Sequence, residues 1–367
     1  MLKVIQTENV KKFVNFPFTL YKKCPHYITD LKSNTINLLT KDPFWLNNER
    51  ALFLLEEDGE IIGRICAIVN RAHNKHWNDN TGFFGFFDCI NDASAAHMLF
   101  SHASTWLWRK GCKSIQGPVN PSTNHTCGVL IDHFEEDPFI MMPYNFHYYD
   151  DLIKSYGFEK AKDLIAFERT DKEKMSPRIL KLIERFSRNK DINFRPVNFK
   201  KFNEEVDKVC RIYNLTWSQN WGFVPISDAE IKQTAKELKS MLKPEMTTIC
   251  EINGEIAAFA ICIPNFNRVL KEWQQNSGIS KIVKTAKAYF NIKDFRMFML
   301  GVHPEHRGRG LEILVINEII NNCIKKGWNK AELSWLLEDN KPIISVVEEA
   351  GCYKTKTYRI YSKSFQK

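Results

Sequence analysis

The sequence predicts an α/β (α+β) protein built as two tandem domains, each a mixed central sheet flanked by helices. Three observations predict it. Read by apolar periodicity, the C-terminal half runs strand, helix, helix, hairpin, strand, helix, strand, helix, strand. The N-terminal half repeats that plan. The chain has 367 residues, enough for two cores of ordinary domain size.

In the C-terminal half, "INFRPVN" alternates like a strand, and the next segment places Phe199, Phe202, Val206, Val209, Cys210, Ile212 and Tyr213 at the spacing of an amphipathic helix. "SDAEIKQTAKELKSML" is a second helix with Ser227 or Asp228 as N-cap. "TTICEI" and "EIAAFAICIP" flank Asn253-Gly254 and read as a β-hairpin. A loop with a short helical segment is expected over 265–292, and "FRMFMLGVHP" is apolar enough for a buried strand. Then come a helix ending at Gly327, the strand "KAELSWLLE", a helix from Asn340 with Pro342 in its first turn, and the closing strand "YKTKTYRIYSKSF".

The first half lies over the second. "LFLLEEDGEIIGRICAIVN" aligns with "TTICEINGEIAAFAICIPN", with Asp58-Gly59 at the turn. "GFFGFFDCI" corresponds to the strand at Met297–Val302, and a helix ending at Gly111 precedes the strand "KSIQGPVN". The final helix, glycine and strand of both halves match as well. These repeats predict an N-terminal domain over 1–170, a charged, helix-like linker over 171–191 and a C-terminal domain over 192–367.

Composition narrows the class without choosing a function. Hydrophobic residues make up 44% and charged residues 26%, as in ordinary soluble proteins. No long apolar stretch suits a leader or a membrane span, which predicts a cytoplasmic protein with no membrane partner. The ten cysteines are scattered without a CxxC pair and read as reduced core residues, and no spacing compels a metal site. The net charge of +9 suits polyanionic ligands, but the lysines are spread along the chain instead of forming a stripe with interleaved aromatics, which argues against nucleic acid. Oligomeric state is not written in the sequence.

One stretch carries chemistry: "LGVHPEHRGRGLEILVINEII", residues 300–320. A strand running through a glycine turn into a helix delivers backbone N–H groups to the helix N-terminus, where the dipole favours an anion. Gly308 and Gly310 permit close backbone approach, and Arg307 and Arg309 add charge and forked donors. The pattern is that of a phosphate cradle.

Arg307-Gly308-Arg309-Gly310 and the lead-in "VHPEHRG" resemble the Arg/Gln-x-x-Gly-x-Gly/Ala motif of the GNAT superfamily of N-acetyltransferases, and the order of elements over 192–367 agrees with that family. Glu312 departs from the final small residue of the motif. The resemblance implies an acyl-CoA, acetyl-CoA above all, with its pyrophosphate on the N–H groups of Arg307, Gly308, Arg309, Gly310, Leu311 and Glu312. It implies that the backbone of Leu300 and Val302 holds the pantetheine and that Asn340 contacts the cofactor arm; a plain helix N-cap is the other reading of Asn340. It also implies direct attack of an amine, from a small molecule or a peptide, on the thioester. The family's tyrosine before the end of the fourth helix is replaced by Val347, which leaves Glu338, Tyr353 and Tyr358 as substitutes for the catalytic acid.

The N-terminal repeat has "DCINDASAAHMLF" in place of the cradle, where Asp88 and Asp92 disfavour an anion. That copy is expected to bind no CoA. Its long polar stretch offers Asn120, Asn124, His125, Tyr144 and Asn145 as candidates for an acceptor pocket, and Trp217 and Trp221 form an aromatic loop beside the C-terminal site. Two alternatives to an N-acyltransferase stay open: a non-catalytic acyl-CoA-binding or regulatory protein, and a basic nucleic-acid-associated factor with salt-sensitive affinity.

Overall fold

The two hairpins that reveal the repeat turn on Asp58-Gly59 and Asn253-Gly254. In the computed structural model of the chain these residues lie at φ 50°, 91°, 53° and 83°. Positive φ at both central residues is the geometry that keeps a two-residue turn in step with strand twist, and Asn, Asp and Gly tolerate it best. The register then closes Glu57 on Glu60 and Ile252 on Glu255. Each hairpin carries a bulge at its matching place, after Leu55 and after Cys250.

The structure describes residues 1–189 and 191–365. They divide into two compact units, the first comprising Met1–Leu164, Gly222–Pro225 and the chain from Thr357, the second Ile165–Trp221 and Ile226–Lys356. This division differs from the expected 1–170 and 192–367, because the closing strand of each sequence repeat changes unit partway along its length.

The first unit contains β1 (Leu2–Thr7), α1 (Val10–Leu20), α2 (Lys32–Thr40), β2 (Glu49–Glu57), β3 (Glu60–Val69), α3 (Arg71–Trp77), β4 (Thr81–Cys89), α4 (Ala93–Arg109) and β5 (Ser114–Gly117). Three two-residue strands follow, β6 (Val119–Asn120), β7 (Thr126–Cys127) and β8 (Val129–Leu130), then α5 (Tyr149–Ser155) and the start of β9 (Glu159–Thr170). Strands β1 to β4 are antiparallel neighbours, and β4 pairs β5 in parallel. Helix α4 lays Ala95, Leu99, Phe100, Ala103 and Leu107, all fully buried, on this sheet. Helix and sheet meet so closely that a Cβ on Gly63 would sit 2.7 Å from Leu99.

The second unit takes the rest of β9, α6 (Pro177–Ser187), β10 (Ile192–Arg195), α7 (Phe202–Trp217), α8 (Asp228–Lys239), β11 (Thr247–Ile252) and β12 (Glu255–Pro264). It continues with α9 (Asn267–Gln275), α10 (Gly278–Phe290), β13 (Asp294–Val302), α11 (Leu311–Lys325), β14 (Lys330–Leu337), α12 (Lys341–Glu349) and the start of β15 (Tyr353–Ser364). Its strand order is β9-β14-β13-β12-β11-β10. Helix α11 buries Leu311, Leu314, Val315, Ile316, Ile319 and Ile320 on one face of the sheet, and α7 covers the other with Val209 and Ile212.

Two expectations are corrected here. The linker segment is helical, as expected, but its helix α6 belongs to the second unit: Ser176 Oγ accepts from Ile179 N–H, and Ile183 and Phe186 pack on the α11 core. Lys190 lies outside the described residues. The segment 265–292, expected as a loop with a short helical piece, forms the two helices α9 and α10.

Candidate active site

The site grows from a defect in pairing between two strands. Strands β13 and β14 are parallel partners from Asp294–Lys330 only as far as Met297–Leu333, although β13 runs on to Val302 and β14 to Leu337. At that point β13 carries a bulge: Met297 faces Cys262 and Met299 faces Ile261, so Phe298 is an extra residue. A bulge bends its strand and ends pairing on one side. Beyond it, β13 keeps its hydrogen bonds to β12, with Leu300 opposite Ala260 and Val302 opposite Ala258, while its other edge opens towards β14. The backbone of Leu300 and Val302, expected to hold a pantetheine arm, lies in this opening.

The chain leaves β13 into the cradle. A 3-10 turn at Pro304–His306 is followed by Arg307, by Gly308 at φ 72° and by Gly310 at φ 75°, which is the N-cap of α11. Among the described residues no side chain caps that helix, which leaves its first N–H groups without a capping partner. Nothing lies within 4 Å of where a Cβ on Gly308 would be. Arg307 and Arg309 are exposed. This combination of a 15-residue helix with a bare N-terminus, an open glycine turn and two guanidinium groups fits a diphosphate. Glu312 is in the first turn and half-buried.

Thr216, which periodicity did not single out, ties the two parts together. Its hydroxyl donates to Val302 O at 3.3 Å, and its carbonyl accepts from the Arg307 guanidinium. The last turn of α7 is thereby fastened to both the end of β13 and the cradle. Trp217 packs on Phe259 and Tyr213 with ring centroids 6.0 and 4.6 Å apart. Gly301 makes room for it: a Cβ there would lie 3.1 Å from Trp217 Cη2 and 2.7 Å from Phe259. Trp221 is half-buried in the same unit.

Asn340 is the N-cap of α12 by position, but its side chain makes no capping hydrogen bond. Val347 is fully buried in the core beneath α12. Glu338 is half-buried just past β14, and Tyr353 is 44% exposed at the start of β15. Tyr358 belongs to the first unit, fully buried with its backbone opposite Leu130.

A different acid stands at the vertex of the opening. Glu332 of β14 pairs with Arg296 of β13, one position before the strands part. It is fully buried, and burial pushes its carboxyl from 4.5 up to about 7, against the opposing pull of Arg296, the Ser334 hydroxyl and Lys356. Ser334 Oγ donates to Glu332 Oε1 at 2.5 Å and accepts from Arg296 Nε at 2.7 Å. Glu332 Oε2 has no hydrogen-bond partner among the described residues. The sequence signal was present and unused: "KAELSWLLE" carries a carboxylate in the middle of an otherwise apolar buried strand.

The first unit has the same bulge and has filled the same opening. β4 carries one extra residue between Gly85 and Asp88, and its pairing with β5 ends at Phe83–Gln116. Phe86, at φ 49°, donates its N–H to Asn120 Oδ1 at 2.6 Å. The other expected pocket residues are also held within this unit. Asn124 donates to Val224 O at 3.1 Å, and His125 Nδ1 lies 2.9 Å from Ser122 Oγ. Tyr144 donates to Phe134 O, while Asn145 brackets Leu130, accepting from its N–H at 2.7 Å and donating to its carbonyl at 3.1 Å. Asp88 forms an ion pair with Arg64 at 2.7 Å and accepts from Tyr21 and Tyr149. Asp92 caps α4 through Ala95 N–H. Among the described residues no cluster of three or more His, Cys, Asp or Glu could hold a metal ion.

No model of a protein family matches the sequence. Over 98% of the chain and 94% of the relative, the sequence is 29% identical to protein YghO of Escherichia coli. It is likewise 29% identical to a bacterial ceramide synthase of Caulobacter vibrioides, over 97% of this chain and 94% of that protein. A tandem GNAT protein from the clavulanic acid biosynthesis pathway superposes with a TM-score of 0.58 at 10% identity, covering 99% of this chain and 98% of that one. A GCN5-related N-acetyltransferase from Sphaerobacter thermophilus gives 0.55 at 11% identity, covering 98% and 95%. The chain therefore has the tandem GNAT fold.

Proposed function

We propose that the second unit binds an acyl-CoA and passes its acyl group to a primary amine. The observation that carries this reading is the continuity of one structural path: a bulge at Phe298 opens the β13 edge, and the same strand delivers the chain to an uncapped helix N-terminus flanked by Arg307 and Arg309. In this reading the N–H groups of Gly308 to Glu312 and the two guanidiniums hold the diphosphate, while the edge of β13 at Leu300 and Val302, where pairing with β14 has ended, aligns the arm. The Asn340 side chain, not spent on capping α12, is a further contact for the arm.

An acyl-CoA supplies a thioester whose carbonyl carbon accepts the amine lone pair as the thiolate leaves. The chain must then take a proton from the amine. Glu332 suits that task better than Glu338, Tyr353 or Tyr358, because its carboxyl, raised to about 7, is half ionised near neutral pH and its Oε2 is unspent. Arg296 and Ser334 hold the carboxyl in place through the other oxygen.

One relative supports a choice of donor and acceptor class. A ceramide is the amide of a long-chain amino alcohol with a fatty acid, so similarity to a ceramide synthase along almost the whole chain supports a fatty acyl-CoA as donor and a long-chain amino alcohol as acceptor. Acetyl-CoA is the short-chain alternative. The test is calorimetric titration with CoA, acetyl-CoA and palmitoyl-CoA, followed by mass spectrometry of mixtures with long-chain amino alcohols and with short amines. Saturable binding with about one site per chain and an amide formed from palmitoyl-CoA are expected. Absence of any CoA binding overturns the reading, and binding without turnover with any amine reduces it to a CoA-binding protein.

A further inference from the structure

Helix α10 turns its apolar face to solvent. None of its residues is buried, yet Ile279, Ile282, Val283, Tyr289 and Phe290 are 80%, 66%, 59%, 48% and 81% exposed. With Ala286 they recur at the i, i+3, i+4, i+7 spacing of one helix face, an arc of about 120°. An ordinary surface helix points such a stripe inwards. Here the half-buried residues are instead Lys281, Thr285 and Ala288, with Lys281 over Trp273 of α9, and within the stripe Tyr289 has a ring contact with Phe266 at 6.1 Å. Scattered exposed apolar side chains need no explanation, but a complete stripe along one helix does.

The charges beside the stripe are of one sign. From Ser277 to Lys293 there are four lysines, Lys281, Lys284, Lys287 and Lys293, and no carboxylate. The carboxylates of the flanking elements are engaged elsewhere: Asp294 is buried against Arg268, and Glu272 accepts from Asn276. Lys281 lies 3.8 Å over the Trp273 ring of α9, and Lys284 donates to Asn276 at 2.9 Å, so part of the basic rim is fixed next to an exposed indole. Tyr289 and Phe290 end the stripe.

We infer that α10, with Trp273 of α9, is an interfacial helix that lies on an anionic lipid bilayer, sinking its Ile279–Phe290 stripe among the acyl chains and its lysines among the headgroup phosphates. At 13 residues it is far shorter than the ~20 residues needed to span a bilayer, so it lies in the interface plane. Exposed aromatic residues bordering a lysine rim are what that boundary selects. A second copy of the chain is a poorer occupant: a two-fold contact would set this stripe against itself and bring the lysine flanks towards one another. The inference does not depend on the acyl-transfer reading, although a surface-bound enzyme would meet long-chain substrates where they reside.

The test is flotation of the full chain with vesicles of phosphatidylcholine containing about 30% phosphatidylglycerol and with pure phosphatidylcholine vesicles, at low and high salt, together with light scattering for oligomeric state. Wild-type protein is expected to float with the anionic vesicles and to lose about tenfold in partitioning with pure phosphatidylcholine or at high salt. Ile282→Asp with Phe290→Asp, and separately Lys284→Glu with Lys287→Glu, are each expected to reduce partitioning by about tenfold or more. These side chains are exposed, and an unchanged thermal melt confirms that the fold is kept. Failure of the wild-type chain to float, flotation by both variants at the wild-type level, or a dimer that the aspartate variant dissociates without any vesicle binding overturns the inference. Because the readout is partitioning and not turnover, its failure is separable from failure of the acyl-transfer reading.

Discussion

Phe86 donates its N–H to Asn120 Oδ1 at 2.6 Å, and that bond occupies, in the first unit, the strand edge that the second unit leaves open. A Cβ on the neighbouring Gly85 would come within 1.7 Å of Val119 O, so the segment 119–120 is seated directly on β4. The first repeat has thus kept the bulge and lost the vacancy. Asn120→Ala is expected to leave CoA stoichiometry at about one per chain, because the backbone of Val119 still fills the edge. It should cost about 1–3 kcal/mol of stability through a half-buried N–H left without its partner. Denaturant titration and calorimetry on the same variant check both halves of this claim, and a second CoA site appearing in Asn120→Ala would sink it.

The cradle makes unequal demands on its two arginines. Arg307 bonds the Thr216 carbonyl of α7, whereas Arg309 has, among the described residues, only a 3.3 Å approach to His306. Arg309→Ala should weaken CoA by about tenfold with no change in stability, as expected for one charge-assisted contact. Arg307→Ala should weaken CoA and also lower the denaturation midpoint. Gly308→Glu places a carboxylate in open space at a positive φ and should abolish binding at a strain cost of about 1–2 kcal/mol. Equal stability losses for the two alanine variants would count against this division of labour.

Much of this arrangement was legible from residue types and spacing. The paired turns at Asp58-Gly59 and Asn253-Gly254 exposed the repeat, and the glycines before α11 marked a turn at positive φ, because both depend on backbone conformations that few residues adopt. Where the strands part was not legible. A bulge such as that at Phe298 is a register property set by tertiary pairing, and "FRMFMLGV" reads the same with or without it. The fates of Asn120, Asn124, Tyr144 and Asn145 were hidden for a related reason: a polar side chain in a long loop looks alike whether it faces a ligand or satisfies a buried backbone group. The expected loop with a short helical segment over 265–292 understates the two helices α9 and α10 found there.

Glu332 gives a pH signature in which the sign is fixed by its raised carboxyl. Its folded value of about 7 lies above the ordinary 4.5, so the group favours folding below pH ~4.5 and that contribution is lost as pH rises through ~7. Glu332→Gln, neutral at every pH, should therefore gain on the wild type by roughly 3 kcal/mol between pH 4 and pH 8 in denaturant titrations. Turnover should move the other way. Wild-type rate is expected to climb with pH through about 7 and then level, as the carboxylate that accepts the proton forms, and the variant should lack that limb. A variant that keeps the wild-type pH profile would leave Glu332 a structural residue only.

Val347 bears on the missing tyrosine. It is fully buried, with its carbonyl accepting from Cys352 N–H at 3.0 Å, and it sits in the cluster formed by α11, α12 and the sheet. A phenol at this place would have to displace core side chains and bury a hydroxyl, an overpacking cost of about 1–3 kcal/mol. Val347→Tyr is therefore expected to lower the denaturation midpoint without raising turnover at any pH. The thiolate would then draw its proton from solvent or from the acid that Glu332 becomes on accepting the amine proton, with no requirement for an acid on α12. A Val347→Tyr variant that folds normally and turns over faster than the wild type would show that α12 retains a position from which a phenol reaches the leaving group, and that Glu332 is not sufficient for both proton movements.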